Sequence, residues 1–177
     1  RSCILVDCDL RYPALTYMLS PEADYGLAEI VKGRAALDGA VWTDSLTRMA
    51  FMPAASQGQV HNPHDLLASA GLQDLVEALR KRYDFVVLDL PPIVPFADVR
   101  AMIDVVDSFV FIVEWGNTSR DAALSALRAA PGIEDKLLGC LLNKADVDKL
   151  SHYCRNGESN YYDRYRAGQG YKRGMRA

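Results

Sequence analysis

No uninterrupted apolar run in the sequence approaches the ~20 residues that a membrane-crossing helix needs. The opening residues, RSCILVDCDLR, are too short and too acidic for a signal peptide, so a piece soluble by itself is expected. CxxC pairs are lacking as well. Of Cys3, Cys8, Cys140 and Cys154, three sit in or beside apolar runs, where a thiol serves as a small buried hydrophobe, and a reduced, cytosolic setting fits better than a disulfide framework. Histidine is scarce: His61 and His64 flank a helix start without Cys or a third matching ligand, so they read as loop residues and not as a metal pair. The two tryptophans, Trp42 and Trp115, read as packing residues, and no internal repeat is found.

What is present is a chain of 177 residues, half of them hydrophobic, enough for one sizeable core and a single globular unit. The net charge of −3 hides an asymmetry. Residues 151–177 carry six Lys or Arg against Glu158 and Asp163, a balance of +4 that leaves −7 on residues 1–150. Such a basic end could meet phosphates, an anionic membrane surface or an acidic protein, or could simply be solvated.

Short apolar runs recur at 4–6 (ILV), 49–52 (MAFM), 85–88 (FVVL), 109–113 (FVFIV) and 137–142 (LLGCLL). Continuous runs of this kind suit strands buried on both faces of a parallel sheet covered by helices. Helices are expected between them. The clearest covers 63–82, with Asn62 as cap, Pro63 in the first turn, Asp65 near the positive end of the dipole, and Leu66, Leu67, Leu72, Leu75, Val76 and Leu79 facing inward. Others are expected at 97–106 and at 119–130, the latter closed by Pro131-Gly132. Alternating strand and helix gives an α/β fold, a mostly parallel sheet with helices on both faces. Residues 38–47 are too irregular to assign. Apolar periodicity stops after Asn143, and residues from about 151 are expected to form a flexible tail.

Two segments share one design, a hydrophobic strand that delivers aspartate at its C-terminal end. In CILVDCDLR, alternation puts Asp7 and Asp9 on the same side, with Arg11 following on a turn. In DFVVLDLPP, Asp89 ends the strand and Pro91-Pro92 stops the ladder. Ligands of open α/β sheets bind at these carboxyl ends, and three carboxylates gathered there repel unless a cation intervenes, for which magnesium is the natural candidate. Singly, each Asp could merely turn the chain or cap a helix. Arg11 could hold a phosphate oxygen or pair with a neighbouring Asp.

ILVDCDLRYP resembles the Walker A′ motif of bacterial tyrosine kinases, and FVVLDLPP resembles their Walker B motif, commonly DTPP. GLAEIVKG, MPAASQG, NPHDLLAS and EWGNTSRDA also look like segments of that family, as does the tyrosine-rich end. The likeness is closest to the versions fused to polysaccharide co-polymerases that export succinoglycan-like or capsular polymers. It implies a P-loop-type α/β fold using ATP and Mg2+, with Asp7 as the base that receives the substrate tyrosine's proton, aided by Arg11. Asp9 and Asp89 would hold magnesium, directly or through water, and Asn143 would lie near adenine. Tyr12 and Leu90 depart from the family pattern, where a basic residue and a small hydroxyl residue are usual. NKAD at 143–146 also matches the guanine-reading NKxD motif, in which Asp146 would pair with the base.

A P-loop enzyme needs G-x-x-x-x-G-K-S/T after its first strand, because backbone amides and a lysine cradle the phosphates. The motif is absent here. In the family it lies just upstream of the A′ strand, and only Arg1, Ser2 and Cys3 precede that strand, so truncation of the first strand and its loop is expected. On this expectation residues 1–150 form a truncated nucleotide-binding domain that alone binds ATP poorly, transfers no phosphate and exposes strand edges. Residues 151–177 form the tyrosine tail.

Five of the nine tyrosines, Tyr153, Tyr161, Tyr162, Tyr165 and Tyr171, fall in that tail. The resemblance implies an autophosphorylation cluster. Each phosphate adds about −1.5 to −2 charge, so modification of all five adds roughly −8 to −10 and reverses the tail's sign. Stacking on nucleic-acid bases is the alternative for Tyr with Arg, but no recognition module accompanies them and no nucleic-acid partner is expected. Implied partners are neighbouring kinase subunits, in a ring or another homo-oligomer, the membrane and periplasmic portion of a co-polymerase, and a cognate tyrosine phosphatase, at the cytoplasmic face of the bacterial inner membrane. Two other classes remain: a partition- or division-type ATPase of the same superfamily, and a non-catalytic module regulating polymer length.

Overall fold

The computed structural model describes residues 1–55 and 60–146; the five tail tyrosines lie outside them. The chain divides into two compact units, one of Arg1–Phe109 with Leu124–Leu138, the other of Val110–Ala123 with the segment beginning at Gly139. This division does not follow the expected boundary near residue 150, since the second unit takes in residues on both sides of it.

In the first unit the apolar runs become strands β1 (Cys3–Asp7), β3 (Ala50–Met52) and β4 (Phe85–Asp89), joined by a two-residue β2 (Trp42–Thr43). The sheet order is β2-β3-β1-β4. β1 is parallel to both neighbours, and only β2 runs antiparallel, so the sheet is mostly parallel as the runs predict. Pairing sets Cys3 opposite Phe85 and Asp7 opposite Asp89.

Ile4 and Val6 of β1 are wholly buried, with Val86 and Leu88 of β4 packed against the same cluster. That face is covered by helices α2 (Leu27–Val31), α4 (Pro63–Leu67) and α5 (Ala70–Arg80), which contribute Leu27, Leu67, Leu72, Val76 and Leu79. The other residues of β4 are open: Phe85 is 51% and Val87 48% exposed, and among the described residues β4 pairs with β1 alone. A smaller cluster joins Val99, Phe109, Ala130 and Ile133. Lys136 supports it by donating from Nζ to the carbonyls of Ile103 (2.6 Å) and Val106 (2.9 Å).

Several elements depart from the sequence reading. The predicted 63–82 helix is two, because Ser69 starts a new one: its Oγ accepts the Leu72 N–H and donates to the Leu66 carbonyl. Asn62 makes no side-chain cap. The 97–106 helix shortens to α6 (Asp98–Ala101), while the 119–130 helix survives as α7 (Arg120–Arg128). Short helices α1 (Ala14–Leu19) and α3 (Leu37–Ala40) were not predicted; α3 and β2 occupy the unassigned 38–47 region. β5 (Phe109–Glu114) pairs with β6 (Leu137–Asn143), and most of both strands belongs to the second unit. The LLGCLL run is not buried there: Leu138 is 76% exposed, and Cys140 is exposed where a buried thiol was expected. Two strands alone cannot cover both faces of a sheet. Among the described residues no helix is long and apolar enough to cross a membrane.

Gly26 marks the closest backbone approach in the first unit. The N–H groups of Leu27 and Ala28 donate to the carbonyls of Pro53 and Ala54 at 2.8 and 2.9 Å. A Cβ on Gly26 would stand 2.6 Å from the Pro53 carbonyl oxygen and 2.7 Å from the Ala55 nitrogen. Neither atom belongs to a side chain that can rotate away. Gly26→Ala is therefore expected to destabilise the chain by about 1–3 kcal/mol, the usual cost of overpacking, as measured by urea unfolding.

Candidate functional site

The site is set by where β1 and β4 stop. Their parallel register carries Asp7 and Asp89 to the same sheet rim, and the ladder extends one step further, with the Cys8 N–H donating to the Asp89 carbonyl at 2.8 Å. The chain then turns on Asp9, whose Oδ1 accepts from the N–H groups of Arg11 (3.1 Å) and Tyr12 (2.9 Å). An aspartate that binds backbone two and three residues on closes a turn, and so Asp9 stays beside the strand end.

The three carboxylates have different surroundings. Asp7 is wholly buried. Its Oδ1 accepts the Asp9 N–H at 3.1 Å, and its Oδ2 accepts both the N–H and the hydroxyl of Thr16, at 2.9 and 2.7 Å. Asp7 thus caps α1 across a loop, the role that a lone strand-end Asp can take. Thr16 Oγ1 in turn accepts the Ala54 N–H at 2.9 Å, so one hydroxyl joins β1 to the loop after β3. Burial pushes the Asp7 carboxyl above its ordinary range, against the lowering pull of the Thr16 and Asp9 donors.

The Asp89 carboxyl is also raised, first by loss of hydration and then by Asp7 and Asp9, so the three charges are near enough to repel. No hydrogen bond or ion pair reaches it among the described residues. Between these two acids lies Cys8, whose thiol is pushed far up by burial and by both aspartates; it is inert packing.

Hard oxygen donors with uncompensated negative charge suit magnesium, which is commonly held through one or two carboxylates, waters and substrate phosphate. Asp89 provides that chemistry, as does Asp9 Oδ2, which accepts no hydrogen bond from the described residues. Among the described residues no group of three His, Cys, Asp or Glu is placed to hold a metal ion, so Asp7, Asp9 and Asp89 do not form the three-carboxylate set expected from the sequence. An ion held by Asp9 and Asp89 alone would need water and ligand oxygens to complete its shell.

Of the two options for Arg11, the coordinates show the ion pair. Its guanidinium grips Asp98 with two bonds, Nε to Oδ2 at 2.6 Å and Nη2 to Oδ1 at 3.1 Å, and lies 4.3 Å from the centre of the Phe96 ring. Asp98, Phe96 and Thr16 escaped the sequence reading; no local pattern marks them, because their partners are up to 87 residues away. His64 lies on α4 and not in a loop, with Nδ1 3.9 Å from Asp98 Oδ1.

Asn143 ends β6 in the second unit. Its Oδ1 accepts the Lys144 N–H at 2.9 Å, leaving the carboxamide nitrogen outward of that bond, and its main-chain oxygen accepts the Trp115 N–H. Lys144 adopts positive φ and pairs with Glu114 at 3.2 Å, which holds the Glu114 carboxyl below its usual range together with Asn117.

No model of a protein family matches the chain. Individual proteins do. The succinoglycan biosynthesis transport protein ExoP of Rhizobium meliloti is 36% identical over 93% of this chain and 21% of its own length. The tyrosine-protein kinase YwqD of Bacillus subtilis is 28% identical over 86% of this chain and 64% of its own. The chain thus spans about a fifth of the first relative and less than two thirds of the second. Among solved structures, the VpsO kinase domain superposes with a TM-score of 0.75 at 25% identity, covering 82% of this chain and 71% of that one. At 18% identity, cobyrinic acid a,c-diamide synthase of Mycobacterium smegmatis with bound ADP and magnesium shares the fold, with a TM-score of 0.66, over 97% of this chain and 70% of its own.

Two substitutions test the local physics. Thr16→Val is expected to cost about 1–3 kcal/mol in urea unfolding, because it strands the buried Ala54 N–H and removes a donor from Asp7. Asp89→Asn acts oppositely. A carboxyl with a raised folded pKa costs the folded state while ionised, and that cost vanishes as pH falls toward the ordinary value of about 4. In metal-free buffer, Asp89→Asn should therefore be more stable than the parent at pH 7, with the gain shrinking on acidification, as read from paired melts with EDTA.

Proposed function

Because this chain belongs to the bacterial tyrosine-kinase family, we propose that it supplies the Walker A′ and Walker B side of an ATP-dependent protein-tyrosine autokinase that regulates exopolysaccharide polymerisation, chain length and export. One observation carries this reading: Asp7 and Asp89 stand opposite each other at the ends of adjacent parallel strands, with Asp9 turned back beside them. Two further points support it, the open and unpaired carboxylate of Asp89, and the likeness to ExoP over most of the chain.

In this mechanism a tyrosine hydroxyl attacks the γ-phosphorus of ATP. The new oxygen–phosphorus bond forms as the bond to the β,γ-bridging oxygen breaks, ADP leaves, and the phenolic proton passes to Asp7. Bound Mg2+ would neutralise charge on the phosphates. Asp9 and Asp89 would hold the ion through oxygen, directly or through water. Burial that raises the Asp7 carboxyl improves it as a proton acceptor, since a base works best with a pKa near the working pH. Arg11 serves either through a phosphate oxygen or through its carboxylate partner, and the bidentate contact with Asp98 favours the second. Asn143 is the residue that the family resemblance assigns to adenine; its carbonyl oxygen accepts the Lys144 N–H.

The acceptors are Tyr153, Tyr161, Tyr162, Tyr165 and Tyr171. Partners on this reading are neighbouring subunits, the membrane and periplasmic portion of a co-polymerase, and a tyrosine phosphatase. The place of action is the cytoplasmic face of the inner membrane.

Incubated with ATP and Mg2+, the whole protein containing this chain should accumulate phosphotyrosine, with Asp9→Asn and Asp89→Asn each slowing it by at least about 100-fold, the scale of losing one electrostatic partner of a transition state. Quantitative mass spectrometry of the tail peptides checks this. Undiminished phosphotyrosine in Asp89→Asn would sink the assignment.

A further inference from the structure

The loops that follow β1 and β4 are joined twice, and only one junction belongs to the sheet. The first is the ladder itself, which ends with the Cys8 N–H on the Asp89 carbonyl. The second lies beyond the carboxylates, where Arg11 reaches Asp98. Each partner belongs to a loop that carries one of the acids: the Arg11 N–H is held by Asp9 Oδ1, and Asp98 follows Asp89 by nine residues along the chain. The two loops are therefore linked by backbone pairing at the strand ends and by a fork of two charged hydrogen bonds beyond them.

The fork has the features of a fixed support. Asp98 is 1% exposed, so its charge is out of water and depends on its partner. Arg11 presents Nε and Nη2 to the two oxygens, the planar match that a lysine cannot make. The Phe96 ring, 4.3 Å away, sets the plane of the guanidinium. His64 approaches the same carboxylate from α4. Both Asp98 oxygens are engaged, and on the Arg11 side the contact takes up Nε and Nη2. Magnesium demands near-ideal octahedral geometry, so the spacing of its two carboxylates matters more than their mere presence.

We propose that Arg11 and Asp98 form a positioning pair that sets the spacing of Asp9 and Asp89 for one divalent cation, and that Arg11 acts by holding the loop and not by touching phosphate. This rests on the assignment of Asp9 and Asp89 to the metal made above. Neither Asp98 nor Phe96 touches the ion; they act on it through the loops.

The test uses the whole protein, with Mn2+ as a spectroscopic substitute for magnesium. Binding of Mn2+ in the presence of ADP is followed by electron paramagnetic resonance, and the Mn2+ dependence of tyrosine phosphorylation is measured in parallel. Asp98→Asn should raise the half-saturating Mn2+ concentration by about 10-fold or more in both assays, the scale seen when groups supporting metal ligands are lost. Metal-free ADP affinity should stay unchanged. Arg11→Lys should fall between, and Arg11→Gln combined with Asp98→Asn should be no worse than the poorer single variant. A purely architectural pair would lower the melting temperature and leave half-saturation alone; that result overturns the proposal. So does a fall in metal-free ADP affinity for Arg11→Gln that Asp98→Asn does not share, since Arg11 would then contact phosphate. If Asp98→Asn does not fold, Arg11→Lys decides by the same criterion. Should the parent bind Mn2+ in an Asp98-dependent way yet phosphorylate no tyrosine, the pair stands and the kinase reading falls. If the parent binds no Mn2+, both fall.

Discussion

The parallel pairing of β1 with β4 is the constraint on which the rest depends. Antiparallel neighbours would place the end of one strand beside the beginning of the other. Parallel ones bring two C-terminal ends to the same rim, and with them two aspartates separated by 82 positions in the chain. Burial is the first cause that raises the Asp7 and Asp89 carboxyls, and like charge adds to it, from Asp9 at Asp7 and from Asp7 and Asp9 at Asp89. A fold does not gain stability from such an arrangement. The apolar bodies of the same strands supply the compensation, since Ile4 and Val6 are wholly buried and each such side chain contributes about 1.5–3 kcal/mol.

Around that rim the supports form a chain of contacts. Asp7 holds Thr16, Thr16 holds the Ala54 N–H, and the Pro53 and Ala54 carbonyls hold the first turn of α2 beside Gly26. On the far side Arg11 and Asp98 link the two loops. A rigid frame of this kind keeps charged groups where their repulsion would otherwise spread them. The frame is built almost wholly from contacts between residues far apart in sequence, which is why its members carry no motif.

This explains what could be read beforehand. The strands were legible because a run such as FVVL has one good use, and Asp7, Asp9 and Asp89 because acids that end apolar runs stand out against them. α5 was legible too, from Leu72, Leu75, Val76 and Leu79 at helical spacing. Its starting point was not: Ser69 takes the Leu72 N–H in the middle of a stretch that periodicity alone continues. α1 and α3 have six and four residues, too few for a period to show. Thr16 and Asp98 were invisible for a different reason, because a lone Thr or Asp acquires meaning only from a distant partner. LLGCLL was read correctly as a strand and wrongly as a buried one, since apolar content predicts a need for cover and not its presence.

Asp7 presents the sharpest tension between support and chemistry. As a structural cap it is well placed, with Thr16 on one oxygen and the Asp9 N–H on the other. A proton acceptor needs something different, a lone pair that the substrate can reach. The two oxygens are not equivalent: Oδ2 receives two donors at 2.7 and 2.9 Å, whereas Oδ1 receives one at 3.1 Å. Oδ1 is thus the oxygen less costly to uncover, and its single donor is the backbone of Asp9, the start of the turn that Arg11 and Asp98 hold in place. On the proposed roles, access to the base and spacing of the metal ligands would both depend on the same short loop. A shift that admits a tyrosine hydroxyl to Oδ1 displaces the Asp9 N–H, while Oδ2 keeps its two donors and with them the cap on α1.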